Sequence, residues 1–218
     1  MEINIQILNN KQSTDYELKK DSFILWNTPI LYKVCDNYQS VNKELNDIIN
    51  QKEKSNPGVN KSNEGGWHSN EDLLSWGGNA IVKLQSWIVD GVGVISSSIS
   101  DHQDYTGKLE LNAWANINTY GNYNNIHTHP ACTWSGVYYV KVGDQPSGEY
   151  PKSGVIEFLD PRAGSEMVAT PTIPFGREKI ISPKNGEIII FPSWLKHWVH
   201  PYWGLENRVS IAFNVRLR

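Results

Sequence analysis

Asn125-Ile-His-Thr-His-Pro-Ala-Cys-Thr-Trp-Ser-Gly-Val-Tyr-Tyr-Val140 is the stretch around which the chain is organised. It sets His127 and His129 two residues apart, at the edge of a strand-like run. Alternate side chains of a β-strand share a face, so both imidazoles are expected on one side. Two neutral imidazoles on one face begin a metal site, and a third ligand must come from elsewhere in the chain.

The surroundings of this stretch are β-like. From Leu109 onward short apolar runs alternate with turn residues, predicting strands over 111–120, 126–129, 135–142, 154–159, 186–192 and 207–217. Many short strands with Gly, Pro and Asn between them predict an antiparallel sandwich or jelly roll. Upstream, Val41, Leu45, Ile48 and Ile49 have helical spacing, with Ser40 as N-cap. A second helix is predicted from Glu71 to about Ser98, capped by Asn70 and weakened by Gly77, Gly78, Gly91 and Gly93. Phe23 to Val34 reads as a strand interrupted by Pro29, suited to a sheet edge or a homodimer contact. Residues 1–21 read as an irregular lead-in or an edge strand, and Lys54 to Asn70 as a long loop. The helices precede the strands and are expected to pack outside one sheet. The expected organisation is a single domain over 1–218, with an N-terminal part (1–105) against a mainly β core (106–218).

Composition narrows the function. The 218 residues carry a net charge of −3 with acids and bases interspersed, which disfavours a nucleic-acid partner. A chain of this length buries roughly 70–75% of its unfolded surface without a disulfide framework. Cys35 and Cys132 fit no zinc or redox spacing. No apolar run approaches the ~20 residues of a membrane span, and the start has no signal-peptide pattern. The expectation is a soluble, cytoplasmic protein. Nine Trp and ten Tyr suit a wide β core or an aromatic binding surface.

Six histidines compete for the third ligand position: besides the pair there are His68, His102, His197 and His200. A strand over Glu187 to Phe191 runs into a Pro-bounded turn and delivers His197. In a jelly roll an early and a late strand can face each other across the barrel mouth, so His197 is the leading candidate and His200 its rival.

Arg208, eleven residues after His197, opens an alternating run. Arg208, Ser210, Ala212 and Asn214 fall on one face, and Val209, Ile211, Phe213 and Val215 on the other. A barrel-facing arginine costs several kcal/mol unless an anion pairs with it. The competing reading pairs Arg208 with Glu206 or another surface acid.

His127-Thr-His129, Ser135-Gly-Val-Tyr-Tyr139, Gly154-Val-Ile-Glu-Phe158, His197-Trp-Val-His-Pro201 and Arg208-Val-Ser-Ile-Ala-Phe213 resemble, in this order, motifs of Fe(II)/2-oxoglutarate-dependent oxygenases. The likeness is to the prolyl-hydroxylase-like branch, and within it to an oxygenase family common in marine bacteria and their phages. It spans about 23 to 215, including Trp26 to Tyr32 and Gly65 to Asn70. The resemblance implies a double-stranded β-helix with Fe(II) at one mouth. It implies His127, His129 and His197 as metal ligands, and 2-oxoglutarate and O₂ as co-substrates. Arg208 would grip the distal carboxylate of 2-oxoglutarate with Ser135, Tyr139 and Ser210, while Asn118 or Tyr120 reaches its other end. Trp67, His68, Trp134 and Trp198 are candidates for the substrate side.

One position departs from the superfamily. Where a His-x-Asp or His-x-Glu facial triad is usual, His129 stands at the carboxylate position. Either the site has three histidines, or a carboxylate such as Glu157 substitutes. Two further readings stay open. One is a cupin-type metal enzyme that does not use 2-oxoglutarate, and the other a non-enzymatic aromatic-rich β-sandwich that binds a glycan or a protein. The primary substrate, small molecule or peptide, is not specified by any of these motifs.

Overall fold

Two antiparallel sheets face each other in the computed structural model, which describes residues 1–7, 27–100, 105–167 and 178–218. In chain order the elements are β1 (Glu2–Ile7), β2 (Leu31–Val34), α1 (Tyr38–Ser55), β3 (Asn63–Glu64), β4 (Trp67–His68), α2 (Asn79–Ile99), β5 (Tyr105–Asn118), β6 (Tyr123–His127), β7 (Trp134–Lys141), β8 (Ile156–Phe158), β9 (Lys179–Ile181), β10 (Glu187–Pro192), β11 (His197–Val199) and β12 (Arg208–Leu217). The larger sheet runs β1-β5-β12-β7-β10-β2, with β4 also paired to β5; the smaller runs β3-β6-β11-β8-β9. In chain order β5, β7, β10 and β12 of the larger sheet interleave with β6, the β8–β9 pair and β11 of the smaller. That interleaving is the jelly-roll winding of a double-stranded β-helix.

The larger sheet is covered on its outer face by both helices. Leu45 and Ile49 of α1 and Ile81, Leu84, Ile88, Val92 and Ile95 of α2 pack on Ile117, Ile188, Ile190, Val209, Ile211, Phe213 and Val215. This outer layer is the main apolar core. Asn42 anchors α1 to β7, accepting a hydrogen bond from Tyr138 Oη at 2.5 Å and donating to the Val140 carbonyl at 2.7 Å. Trp134 Nε1 donates to Ser96 Oγ of α2 at 2.9 Å. All six residues of β10 are buried because helices cover one face and the barrel interior the other. Glycine permits two close approaches. A Cβ on Gly91 would lie 2.6 Å from Ile190 Cδ1, and one on Gly136 would lie 2.3 Å from the Phe213 ring.

Several sequence expectations shift. The second helix begins at Asn79, not Glu71, because Gly77 and Gly78 take positive φ angles of 79° and 99° and Gly78 becomes the N-cap. Leu73–Ser75 forms a separate 3₁₀ turn, and Asn70 caps nothing. α1 starts at Tyr38 after Asn37 in the left-handed region, ahead of the expected cap at Ser40. The strand predicted over Phe23 to Val34 is regular only at Leu31–Val34, where it forms a sheet edge; residues 23–26 lie outside the described residues. The long loop before Asn70 contains β3 and β4, which bridge the two sheets at the barrel mouth. β9 and β11, three residues each, were too short to be read as strands from the sequence. No helix among the described residues is long and apolar enough to cross a membrane.

Candidate metal centre and its cavity

Strand pairing brings the first two histidines together. β11 pairs with β6 so that His197 lies directly opposite His127. Residues so placed on antiparallel strands hold their Cβ atoms about 5 Å apart. His129 arrives differently from expectation. β6 ends at His127, and His129 belongs to the turn that follows, not to the strand. Its backbone N–H donates to the Ser193 carbonyl at 2.9 Å, and Ala131 turns the chain with a φ of 63°. The result is the same convergence by another route. The His129 and His197 rings stack at 5.2 Å and 16°, with their Nε2 atoms 3.4 Å apart. Ligand atoms of His127, His129 and His197 all lie within 4.8 Å of one another.

The chemistry of this donor set suits a divalent transition metal. His127 Nδ1 donates to the Asn125 carbonyl at 2.6 Å and His197 Nδ1 to the Leu195 carbonyl at 2.9 Å. A carbonyl only accepts, so each Nδ1 carries the proton and each Nε2 presents a lone pair to the cluster. Burial holds all three imidazoles below their usual pKa, His129 at about 4 and His197 at about 3, each pushed further by the neighbouring His127. They are neutral at physiological pH, as ligands must be.

The rivals are engaged elsewhere. Glu157 alternates with the inward-facing Ile156 and Phe158 and so points out of the barrel. There its carboxylate accepts from His200 Nε2 at 2.7 Å and from Lys152 Nζ at 3.4 Å. One contact thus removes both the proposed substitute carboxylate and the rival third histidine. Among the described residues the cluster contains no carboxylate. His102 lies outside the described residues.

Behind the histidines lies a narrow cavity of about 50 Å³ between the sheets, lined by residues that include Trp114, Asn116, Tyr139, Phe191, Arg208 and Ser210. Arg208 is 2% exposed, its Nε has no hydrogen-bond partner, and no acid among the described residues pairs with it. Glu206, the acid that a surface reading of Arg208 requires, instead pairs with Lys141 at 2.9 Å. The Arg208 guanidinium carbon lies 5.2 Å from the Tyr139 ring, and the buried Tyr139 hydroxyl has no hydrogen-bond partner either. Burial pulls the guanidinium below its usual pKa and pushes the phenol up to about 12. A buried cation that lacks an acid, with a phenol hydroxyl beside it, gives this cavity the chemistry to receive an anion.

Residues 112–214, a little under half of the chain, match the family model described as "Putative 2OG-Fe(II) oxygenase". The match runs from within β5 to within β12. No curated protein matches the chain. Solved structures do. A prolyl-4-hydroxylase from Pseudomonas putida aligns with a TM-score of 0.59 at 14% identity, covering 87% of this chain and 92% of that one. HygX from Streptomyces hygroscopicus, with nickel and 2-oxoglutarate bound, gives 0.57 at 11% identity over 87% and 83%. A Trichoplax adhaerens prolyl hydroxylase, in complex with a hypoxia inducible factor peptide fragment, gives 0.55 at 14% over 85% and 83%. At these identities the likeness establishes the fold, the double-stranded β-helix.

Within this barrel, the residues read from the sequence divide. Arg208, Ser210 and Tyr139 line the cavity together. Ser135 does not join them. It faces Asn214 in register and donates to Asn214 Oδ1 at 2.8 Å. Six residues separate Arg208 from Asn214, roughly 20 Å of strand, too far for Ser135 to share a carboxylate with Arg208. Asn118 is the register partner of Arg208, so it sits at the arginine end, not at the other end of the cavity as expected. Tyr120 is 54% exposed and packs edge-on against Trp203. Of the four substrate-side candidates, only His68 reaches the open basin of about 500 Å³ outside the histidines. Trp67 and Trp134 belong to the helix-facing core, and Trp198 stacks on His200 at 3.8 Å outside the barrel.

The sequence reading missed Trp114 and Asn116. Trp114 lines both the cavity and the basin, between His68 and His129 at ring distances of 5.6 and 6.0 Å. The signal was present in Leu111-Asn-Ala-Trp-Ala-Asn-Ile-Asn118, where polar and aromatic residues alternate strictly with aliphatic ones. That period of two puts Asn112, Trp114, Asn116 and Asn118 on the face opposite the core.

Proposed function

We propose that the protein is a non-haem Fe(II)- and 2-oxoglutarate-dependent oxygenase of the hydroxylating type, with O₂ as co-substrate and a small molecule or peptide as primary substrate. The observation that carries this reading is Arg208. It is a fully buried guanidinium without an acid, set in the same narrow cavity as three converging neutral imidazoles.

His127, His129 and His197 would hold the metal through their Nε2 atoms, with the Asn125 and Leu195 carbonyls fixing two of the rings. When bound, the iron supplies the redox chemistry that couples decarboxylation of 2-oxoglutarate by O₂ to oxidation of the substrate. Arg208 neutralises the distal carboxylate and Tyr139 donates its hydroxyl to the same group. Phe191, Ile156 and Val137 keep that end of the cavity dry, which strengthens both contacts. His68 and Trp114 form the wall facing the basin, where the substrate enters.

Anaerobic addition of Fe(II) and then 2-oxoglutarate is expected to produce a visible metal-to-ligand charge-transfer band. Absence of that band, together with no thermal stabilisation by 2-oxoglutarate, rejects the reading. A cupin-type enzyme shares the three-imidazole set, but it leaves Arg208 without a partner. Turnover undiminished by omission of 2-oxoglutarate is the outcome that would favour it.

A further inference from the structure

The open basin outside the histidines contains a polar atom that nothing above employs. His68 is 3% exposed, yet its ring lines the basin. Its Nδ1 donates to the Ser69 carbonyl at 2.7 Å, so the proton sits there and Nε2 carries a lone pair. Nε2, at the outer end of the ring, makes no hydrogen bond to another of the described residues. Burial pulls the ring below its usual pKa, which keeps it neutral and keeps Nε2 an acceptor. The ring is held in place: it stacks on Trp114 at 5.6 Å and 15°, while Trp67, its neighbour on β4, belongs to the helix-facing core. An acceptor so fixed and left open to the basin is satisfied by a donor from a ligand.

A second acceptor stands beside it. Glu71 lines the same basin, and Asn112 Nδ2 donates to its Oε2 at 2.5 Å, leaving Oε1 without a partner among the described residues. That one contact is neutral, so the carboxylate charge is unpaired among the described residues. Asn112 and Trp114 are successive positions on the inner face of β5, a strand step of about 6.5 Å. His68 rests on Trp114 and Glu71 on Asn112, so the two acceptors are set about one such step apart. A single ammonium group bridging two acceptors, through bonds of about 2.8 Å each, spans a similar distance. The other charged residue of the described lining is Lys61, whose charge acts on the His68 ring less than that of Glu71.

We propose that the basin takes a substrate bearing a primary ammonium group, which donates one N–H to His68 Nε2 and another to Glu71 Oε1. The inference rests on the oxygenase reading for the fate of the substrate, and it names the substrate's chemical class. His68 and Glu71 are binding residues that fix the nitrogen. Trp114 lies between His68 and His129, so the nitrogen is held one indole away from the metal ligands. The carbon that is oxidised is then several bonds from the nitrogen, which suits an amine on a flexible chain. A small alkylamine and a lysyl side chain of a peptide both carry such a group, and the experiment separates them.

Binding of n-hexylamine, n-hexanol and hexanoate to the full chain is measured by saturation-transfer NMR, first metal-free and then with Zn(II) and 2-oxoglutarate. The amine, protonated at neutral pH, is expected to bind about tenfold more tightly than the alcohol or the acid in both states. Glu71→Gln, which keeps the shape, brings the amine to within about threefold of the alcohol. His68→Phe, which keeps a ring on Trp114 but no acceptor, weakens amine and alcohol alike by about fivefold. Lys61→Ala leaves the preference in place. The order of the probes separates a ligand contact from a packing defect, because a packing defect alters melting without reordering them. A blocked glycine-rich peptide with one lysine that binds more tightly than n-hexylamine assigns the ammonium group to a peptide; weaker binding assigns it to a small molecule. The proposal is overturned by equal binding of the three probes, by hexanoate binding tightest, or by amine binding only when Zn(II) is present. A preference that survives both Glu71→Gln and His68→Phe overturns it as well. If His68→Phe fails to fold, Glu71→Gln, at an exposed position, carries the test. The charge-transfer band reports on the co-substrate reading separately, so a protein that prefers the amine but gives no band keeps the ammonium site and loses only the oxygenase reading.

Discussion

The two faces of β12 obey opposite rules. Toward the helices, Val209, Ile211, Phe213 and Val215 are fully buried among aliphatic and aromatic neighbours. Toward the barrel interior, Arg208 and Ser210 are as deeply buried, yet Arg208 keeps an unpartnered Nε. β5 repeats the division, with Ala113, Ala115 and Ile117 against Trp114, Asn116 and Asn118. At Arg208 and Ser210 burial matches that of the outer face, but satisfaction does not. The outer face stabilises the fold; the inner face carries a desolvation cost of several kcal/mol at Arg208, which the anion of the proposed function would relieve.

Substitutions on each face sharpen or break this contrast. His127→Ala, on the inner wall, is expected to abolish stoichiometric binding of Fe(II) or Ni(II), measured by calorimetry or metal analysis, with little change in far-UV circular dichroism. Phe213→Ala, on the outer face, is expected to cost about 3–5 kcal/mol of stability in urea titrations. Its Fe(II) and 2-oxoglutarate affinities, measured where the protein remains folded, should stay within a few-fold. Arg208→Ala is the converse: 2-oxoglutarate weakens about a hundredfold while metal binding and ligand-free melting are retained or improved. If Arg208→Ala instead melts like Phe213→Ala, the two faces do not divide as described.

Acid titration gives a smaller and more gradual effect. Burial sets the folded pKa values of His129 and His197 at about 4 and about 3, below the ordinary 6.5. The unfolded chain therefore binds more protons between these values, so stability rises with pH there and is lost as pH falls from about 6.5 toward 3. Ligand-free melting should be flat from pH 8 to 7 and decline below 6.5. Saturating Ni(II) should deepen the decline, because protons then compete with the metal. The smallest effect is expected at Glu157→Gln, which loosens the outward contact with His200 and leaves metal stoichiometry unchanged. Loss of metal in that variant would restore Glu157 as a ligand.

The legibility of the site in the sequence follows from local regularity. Arg208, Ser210 and the aliphatic face of β12 were readable because a ten-residue strand keeps strict alternation. The same rule, applied to Leu111 through Asn118, also marks Trp114 and Asn116. His129 was placed in the right cluster for the wrong local reason, since a turn fixed by Ser193 and Ala131 carries it, not strand period. Ser135 was misassigned because face is a local property, whereas position along the barrel depends on register with β12, which pairing alone sets. The start of α2 was misjudged because apolar spacing continued through Gly77-Gly78, where positive φ angles end any helix. Glu157 shows the same limit from the other side. Its type suited a metal, but its place on β8 between two inward residues turned it away.

The most direct test of the central claim is a crystal structure of the anaerobic protein with Mn(II) and 2-oxoglutarate. One ion is expected, bound by His127, His129 and His197 with no protein carboxylate, and the distal carboxylate of 2-oxoglutarate on the Arg208 guanidinium. A carboxylate ligand in place of His129, or 2-oxoglutarate bound away from a still unpartnered Arg208, would contradict it.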